Sequence, residues 1–347
     1  MTLRRISPVL LALASALAIS ACGSSSNSTP THSAAPTNSP KTVSVALSWT
    51  PNTDYTGVYV AQELGYYKDR GISLKVLPYA STPPETLVAA GKADVGFSYQ
   101  AGLAYARAAG KDIVSIFSPD QKSAYAIGVR ANRTDIKTPK DLDGKTYAGF
   151  GSPDEGPELK SVIQNAGGKG NFKTITLNTS AYQAVYSGAA DFTIPVTTWE
   201  GVEAKQSGKP LKYFRFEDFG FPKQYSVLIV ASNKWLKEDE QTARAFTEAT
   251  TMGYEYAAKN PAKAATLMVK ANPGAFKNAK LVTESQELLA SGGYLTTADG
   301  KVGVQSAEQW TKYGHFLYSN GLLTDSNGKP LKAEPDWSAF WTNKYLP

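Results

Sequence analysis

The chain is poor in the residues that build metal centres and covalent frameworks. Its 347 residues include one cysteine, Cys22, and two histidines, His32 and His315. A single thiol excludes an intramolecular disulfide, so the fold must rest on its core. It also excludes a cysteine-held iron or zinc site, and two distant histidines do not make the His-pair-plus-carboxylate set that catalytic metals use. His32 lies in a polar linker and reads as inert, whereas His315, beside Tyr318 on a helical pattern, reads as a packing residue. No Ser/His/Asp triad can be assembled from this inventory. A carboxylate pair, Asp54 with Glu200, is the one hydrolytic arrangement left open.

Charge of one sign is not concentrated either. The net charge of +6 is spread along the chain, and Arg4 and Arg5 account for part of it. Without a basic block, a nucleic-acid partner is not expected. Long apolar runs are missing too: hydrophobic residues make up 42% and charged ones 19%. The run from Val9 to Ile19 is too short to span a bilayer comfortably.

That run, behind the basic Met1–Arg5, fits a signal peptide over residues 1–21. It ends in Ile19-Ser20-Ala21-Cys22-Gly23, which resembles the lipobox of bacterial lipoproteins. The resemblance implies an acylated Cys22, and two or three acyl chains would hold the protein stably at a membrane surface. Gly23 to Pro40 is almost entirely Ser, Thr, Asn, Pro, Ala and Gly, and reads as a flexible tether over residues 22–40.

The ordered chain begins with Val43 to Ser48, where apolar and polar residues alternate as in a strand. Pro51 and Asn52 break the strand, and a helical pattern starts at Thr56 and stops at Gly65. Trp49, Asn52, Asp54 and Tyr55 therefore sit between a strand's carboxyl end and a helix N-terminus. Ligands bind in that crevice of open α/β sheets. An indole, an amide, a carboxylate and a phenol suit a flat polar molecule, yet two such aromatics can equally cap a core.

The same punctuation recurs. Strand patterns at Ile72–Leu77 and 93–98 alternate with helices, and Tyr99 and Gln100 stand at the second of these tips. Further strands are expected at 113–117, 125–129, 146–150, 174–177, 190–196 and 227–230. Strands interleaved with short helices imply α/β sheets rich in parallel pairs. A length of 347 residues favours two lobes over one core. Phe150-Gly151-Ser152 leads into an amphipathic helix whose start could accept a carbonyl or an anion, although Asp154 and Glu155 already occupy its positive end. Ser152 could equally be a plain helix cap. Thr198-Trp199-Glu200-Gly201 closes another strand, and its carboxylate reads either as a cleft group or as a solvated first-turn glutamate.

Trp49-x-Pro51-Asn52-Thr53, Thr56-Gly57-x-Tyr59-Val60-Ala61, Gly65-Tyr66-Tyr67, Gly71-Ile72 and Gly91-Lys92-Ala93-Asp94-Val95-Gly96 together resemble a known family. It is that of the solute-binding lipoproteins of ABC importers for thiamine-pyrimidine precursors, with sulfonate, nitrate and riboflavin binders as relatives. Gly220-Phe221-Pro222-Lys223-Gln224-Tyr225-Ser226 and the closing Phe340 to Leu346 extend the likeness over nearly all of 43–347.

The resemblance implies a two-lobed periplasmic-binding-protein fold of type II, with residues 41–129 and 230–347 in one lobe and 130–229 in the other. The hinge would lie near Val129–Arg130 and Ile229–Val230. It implies a receptor without cofactor, extracytoplasmic and lipid-anchored, monomeric, delivering a small heterocycle to a membrane permease. The ligand would stack on Trp49 and on Trp199 or Tyr225, with Asn52, Asp54, Tyr55, Tyr99, Gln100, Phe150, Ser152 and Glu200 around it. Eukaryotic relatives are pyrimidine synthases that consume one of their own histidines. That position falls at Tyr55 here, and their cysteine cluster is missing, so an enzyme is not expected. The same tyrosine leaves riboflavin or another flat ring open as the ligand. Asp54 and Glu200 argue against a sulfonate or nitrate.

Overall fold

The computed structural model describes residues 39–347. The signal peptide, acylated Cys22 and most of the tether expected upstream lie outside the described residues.

Ten strands form two five-stranded sheets. In chain order they are β1 Lys41–Ala46, β2 Ile72–Leu77, β3 Val95–Ser98, β4 Ile113–Phe117 and β5 Ala126–Arg130. They continue with β6 Thr146–Gly149, β7 Lys173–Thr176, β8 Phe192–Thr193, β9 Leu211–Arg215 and β10 Leu228–Ser232. The first sheet has the order β2-β1-β3-β10-β4 and the second β7-β6-β8-β5-β9. β1 runs parallel to β2 and β3, while β10 pairs antiparallel with β3 and β4. β6 runs parallel to β7 and β8, while β5 pairs antiparallel with β8 and β9.

Each sheet thus contains one reversed strand in the fourth place. In both cases it is the strand that arrives from the other lobe. The chain leaves the first sheet after β4 and enters the second at β5; it leaves the second after β9 and returns at β10. Residues 118–125 and 216–227 are the two crossings. The boundaries expected at 129/130 and 229/230 fall inside β5 and β10, and each crossing lies upstream of the strand concerned.

β3 and β4 are buried on both faces, so neither shows a polar residue at every second position; only Ser98 and Ser115 interrupt the small and apolar residues. β9, Leu-Lys-Tyr-Phe-Arg, is an edge strand with mixed exposure. The helix Thr56–Glu63 lies against the long helix Glu240–Lys259. Their contact is set by glycine: a Cβ on Gly253 would collide with the Gly57 carbonyl, and one on Gly57 with the Tyr254 ring. This close crossing lets the Tyr254 hydroxyl donate to the Asp54 carbonyl at 2.5 Å. Packing at the helix crossing therefore fixes a loop at the strand tip.

Candidate functional site

The loop after β1 forms one wall. Asn52 is extended, and its side-chain oxygen accepts from the Asp54 amide at 2.9 Å, which caps the turn Thr53–Tyr55. Thr53 Oγ1 lies 2.5 Å from Ser285 Oγ on the helix Ala279–Ser291. With its backbone held on both sides, Asp54 is buried, and its Oδ1 has no hydrogen-bond partner in the protein.

A second wall comes from the start of the helix Glu200–Gln206. Glu200 is 5% exposed; its Oε2 accepts from the Val196 amide at 3.1 Å, and its carbonyl accepts from the Tyr186 hydroxyl at 3.2 Å. Thr198 is fully buried, with its Oγ1 unpartnered.

The crossings supply the third wall. Asp120 is 1% exposed, and the donor facing its carboxylate is the buried Ser226 hydroxyl of the second crossing; neither group has a further hydrogen-bond partner. Ser118 Oγ donates to the Asp120 carbonyl at 2.8 Å and reaches the Val227 carbonyl at 3.3 Å, which ties the two crossings together. The Tyr125 hydroxyl spans the same gap to the Ser226 carbonyl at 3.5 Å.

Asp54 lies close enough to Glu200 and to Asp120 for its charge to act on both. Burial pushes the Asp54 carboxyl up to about 7. Burial, helped by the charge of Asp54, pushes Glu200 up to about 8. Asp120 is raised well above the usual carboxylate range by burial and then by Asp54. None of the three takes part in an ion pair among the described residues. A buried, uncompensated carboxylate costs several kcal/mol, so it holds a proton or a donor.

The other expected residues fall into two groups. Trp49 is half-buried with its ring 5.8 Å from Tyr79, and Trp199 meets Phe276 edge-on at 6.1 Å across the gap. Phe150 lies 5.2 Å from Tyr182, whose hydroxyl is pushed up by burial and by Glu200. Trp199, next to Glu200 in the chain, and Phe150, through Tyr182, lie on the Glu200 side; Trp49 packs toward Tyr79.

Asn52, Tyr55, Gln100 and Tyr225 are turned to internal tasks. Tyr55 is 2% exposed, bonded to Ser48 Oγ at 3.0 Å and packed edge-on to Phe97. The Gln100 side chain accepts from the Tyr225 amide at 3.0 Å and donates to the Gln309 carbonyl at 3.3 Å. The Tyr225 hydroxyl accepts from the Ser306 amide at 2.8 Å. These bonds clasp the second crossing to the first lobe.

Tyr99 and Ser152 belong to a seam between the lobes. Their hydroxyls lie 3.2 Å apart, Tyr105 donates to Asp154 at 3.1 Å, and Tyr313 donates to Glu158 at 2.6 Å. The helix start beside Ser152 is not an open anion site. Glu155 folds back and accepts from the amides of Phe150 and Ser152 at 3.0 and 2.8 Å, and from the Tyr147 hydroxyl at 2.9 Å. The first-turn carboxylate has become the bound anion.

Asp120, Thr198, Ser226 and Tyr125 were not singled out by sequence reasoning. Asp120 stood in Ser118-Pro119-Asp120 between two apolar strands, and Ser226 closed a motif already noted for Tyr225. A groove of ≈ 420 Å³ is lined by Thr197, Gly201, Lys205 and Tyr213 and, from the first lobe, by Glu284 and Leu288. A larger groove of ≈ 930 Å³ lies between residues 217–223 and the helix Ala307–Ser319. None of the three carboxylates lines either groove; they are enclosed between the walls. Among the described residues no cluster of three His, Cys, Asp or Glu has the geometry to hold a metal ion.

Two α/β sheets joined by two crossings, each sheet with one reversed strand, define the two-lobed periplasmic-binding-protein fold. The aliphatic sulphonate binding protein of Escherichia coli shares it, with a TM-score of 0.64 at 18% identity over 86% of this chain and 95% of that one. The nitrate-binding protein of Synechocystis does so with a TM-score of 0.56 at 15% identity, over 81% of this chain and 80% of that one. Within this class the chain belongs to the NMT1/THI5-like family, whose pattern matches residues 52–264. It is 28% identical to the formylaminopyrimidine-binding protein of Halalkalibacterium halodurans, over 86% of this chain and 90% of that protein. It is 24% identical to the 4-amino-5-hydroxymethyl-2-methylpyrimidine phosphate synthase of Legionella pneumophila, over 67% and 74%.

Proposed function

We propose that the chain is the extracytoplasmic solute-binding component of an ABC importer, closing its two lobes on a small flat heterocycle of the thiamine-pyrimidine-precursor type. One observation carries this reading: three buried carboxylates without a counter-ion, Asp54 from the first lobe, Glu200 from the second and Asp120 from the first crossing, with Asp54 close to both others and its Oδ1 without a donor. Buried carboxylate oxygens short of donors call for a ligand that brings N–H groups. An aminopyrimidine edge does so, and each charge-assisted bond is worth about 1.5–3 kcal/mol. Phe150 and Trp199 offer ring faces on the Glu200 side.

The lobes move about residues 118–125 and 216–227, and the ligand shifts the open–closed balance by contacts made only when both walls meet. Acylation at Cys22 tethers a monomeric receptor to the membrane beside its permease. Glu155 supports rejection of sulfonates and nitrate, because it fills the helix start they would use. Tyr55, its hydroxyl held by Ser48, supports binding without turnover.

Calorimetry of the full chain against thiamine-pyrimidine precursors, riboflavin and alkyl sulfonates tests the reading. A precursor binds and Glu200→Ala weakens it by at least tenfold. Tight binding of a sulfonate alone, or an unchanged Glu200→Ala, would sink it.

A further inference from the structure

The carboxylates of the gap outnumber what a neutral aminopyrimidine needs. Asp54 comes from the turn after β1, Glu200 from the second lobe and Asp120 from the first crossing, and all three are at least nine-tenths buried. The Ser226 hydroxyl of the second crossing is buried against Asp120, and Oδ1 of Asp54 has no partner.

No cation compensates the three. Asp54 is faced by Tyr55 on its own turn, Tyr254 from the helix Glu240–Lys259 and Tyr125 from the first crossing, besides Asp120 and Glu200. Glu200 is faced by Tyr182 and Tyr186, by Tyr213 of β9 and by Glu203 one turn on. Asp120 is faced by Tyr254 and Ser226. Every one of these groups is neutral or acidic.

We propose that the gap takes its ligand as a monocation, protonated on a ring nitrogen, and that Asp120 determines this charge preference together with Asp54 and Glu200. The inference rests on the binding-protein reading above. A protonated ring nitrogen and an exocyclic amine are separated donors, and carboxylates from three elements can meet both. Burial makes a paired cation and carboxylate far better than a bare carboxylate. The raised proton affinities of the three carboxyls agree with it. On binding, a carboxyl O–H bond breaks and a ring N–H bond forms, so the proton passes from protein to ligand and none is exchanged with water. Asp120 sets the number of negative charges that this transfer leaves behind.

The ultraviolet spectrum of 4-amino-5-hydroxymethyl-2-methylpyrimidine bound to the full chain, recorded where the free compound is neutral, tests this directly. The bound spectrum is that of the protonated ring. The 4-oxo analogue, an acceptor in place of a donor, binds roughly 100-fold more weakly. Asp120→Asn, close to isosteric, weakens the aminopyrimidine by roughly tenfold or more with the fold checked by circular dichroism, and Ser226→Ala probes the same corner. A bound ring with a neutral spectrum overturns the charge inference and leaves the receptor reading standing. Unchanged affinity in Asp120→Asn removes Asp120 from the site. Failure of every aminopyrimidine to bind overturns the reading on which the inference rests.

Discussion

Glu200→Gln should make the protein more stable while making it a worse receptor. In the folded chain Glu200 titrates near about 8, against 4.5 for an ordinary glutamate. A carboxyl with a raised folded value keeps its proton where the unfolded chain has already lost it. The unfolded state is therefore favoured increasingly as pH rises from about 4.5 to about 8, and stability falls across that window. At pH 7 the penalty is about 3 kcal/mol, from roughly 2.5 pH units at 1.36 kcal/mol each; at pH 5 it is about 1 kcal/mol. Glutamine does not ionise, and its side-chain oxygen can still accept from the Val196 amide as Glu200 Oε2 does. The variant should melt about 5 °C higher than the parent at pH 7, with the gap closing toward pH 5. Ligand-free protein followed by calorimetric melting from pH 5 to 8 provides the assay. Superimposable melting curves for parent and variant would refute the premise that this carboxylate is buried at a cost. A stabilised variant that no longer binds would show a stability–function trade-off at one residue.

Three further outcomes follow from the geometry. Glu155→Ala should free the amides of Phe150 and Ser152, so that sulfate or an alkyl sulfonate gains measurable affinity by calorimetry, alongside a loss of about 1–3 kcal/mol from the orphaned donors. Gly253→Ala should drive a methyl into the Gly57 carbonyl and destabilise by about 1–3 kcal/mol or more, read as a lower denaturation midpoint. Thr53→Val should break the bond to Ser285 and loosen the loop that holds Asp54; it should cost about 1 kcal/mol in stability and weaken ligand binding in the same titration.

Much of this arrangement is visible in the sequence wherever local chemistry decides. β2, Ile72–Leu77, has the bounds that alternation indicates, and the first helix begins at Thr56, where its pattern starts. The strand-tip loop carrying Asp54 and the helix start carrying Glu200 come from the same rule of turn residues after a strand. β9 escaped because Lys212 and Arg215 on an edge strand spoil the alternation. Asp120 and Ser226 escaped for a different reason. They lie on the crossings, and only the reversed placement of β5 and β10 makes neighbours of segments a hundred residues apart. Asn52, Tyr55, Gln100 and Tyr225 have the residue types of a binding site, but backbone groups nearby, and for Tyr55 the Ser48 hydroxyl, claim their hydrogen bonds first. Sequence pattern identifies donors and acceptors; tertiary packing decides which remain unspent.

The reversed strand of the first sheet also bears on how the chain folds as it emerges from a translocation channel. β4 pairs with β10 alone among the named strands, and β10 lies beyond the whole second sheet. The second sheet, by contrast, draws its strands from one continuous stretch, β5 to β9. We expect the later-encoded half to become protected from hydrogen exchange first, with β4 waiting, unpartnered, for residues 228–232 to arrive. Amides of β4 that gain protection before those of β8 and β9 would contradict this order. A receptor assembled this way completes its older half last, and its recognition gap takes shape only in the final step of maturation.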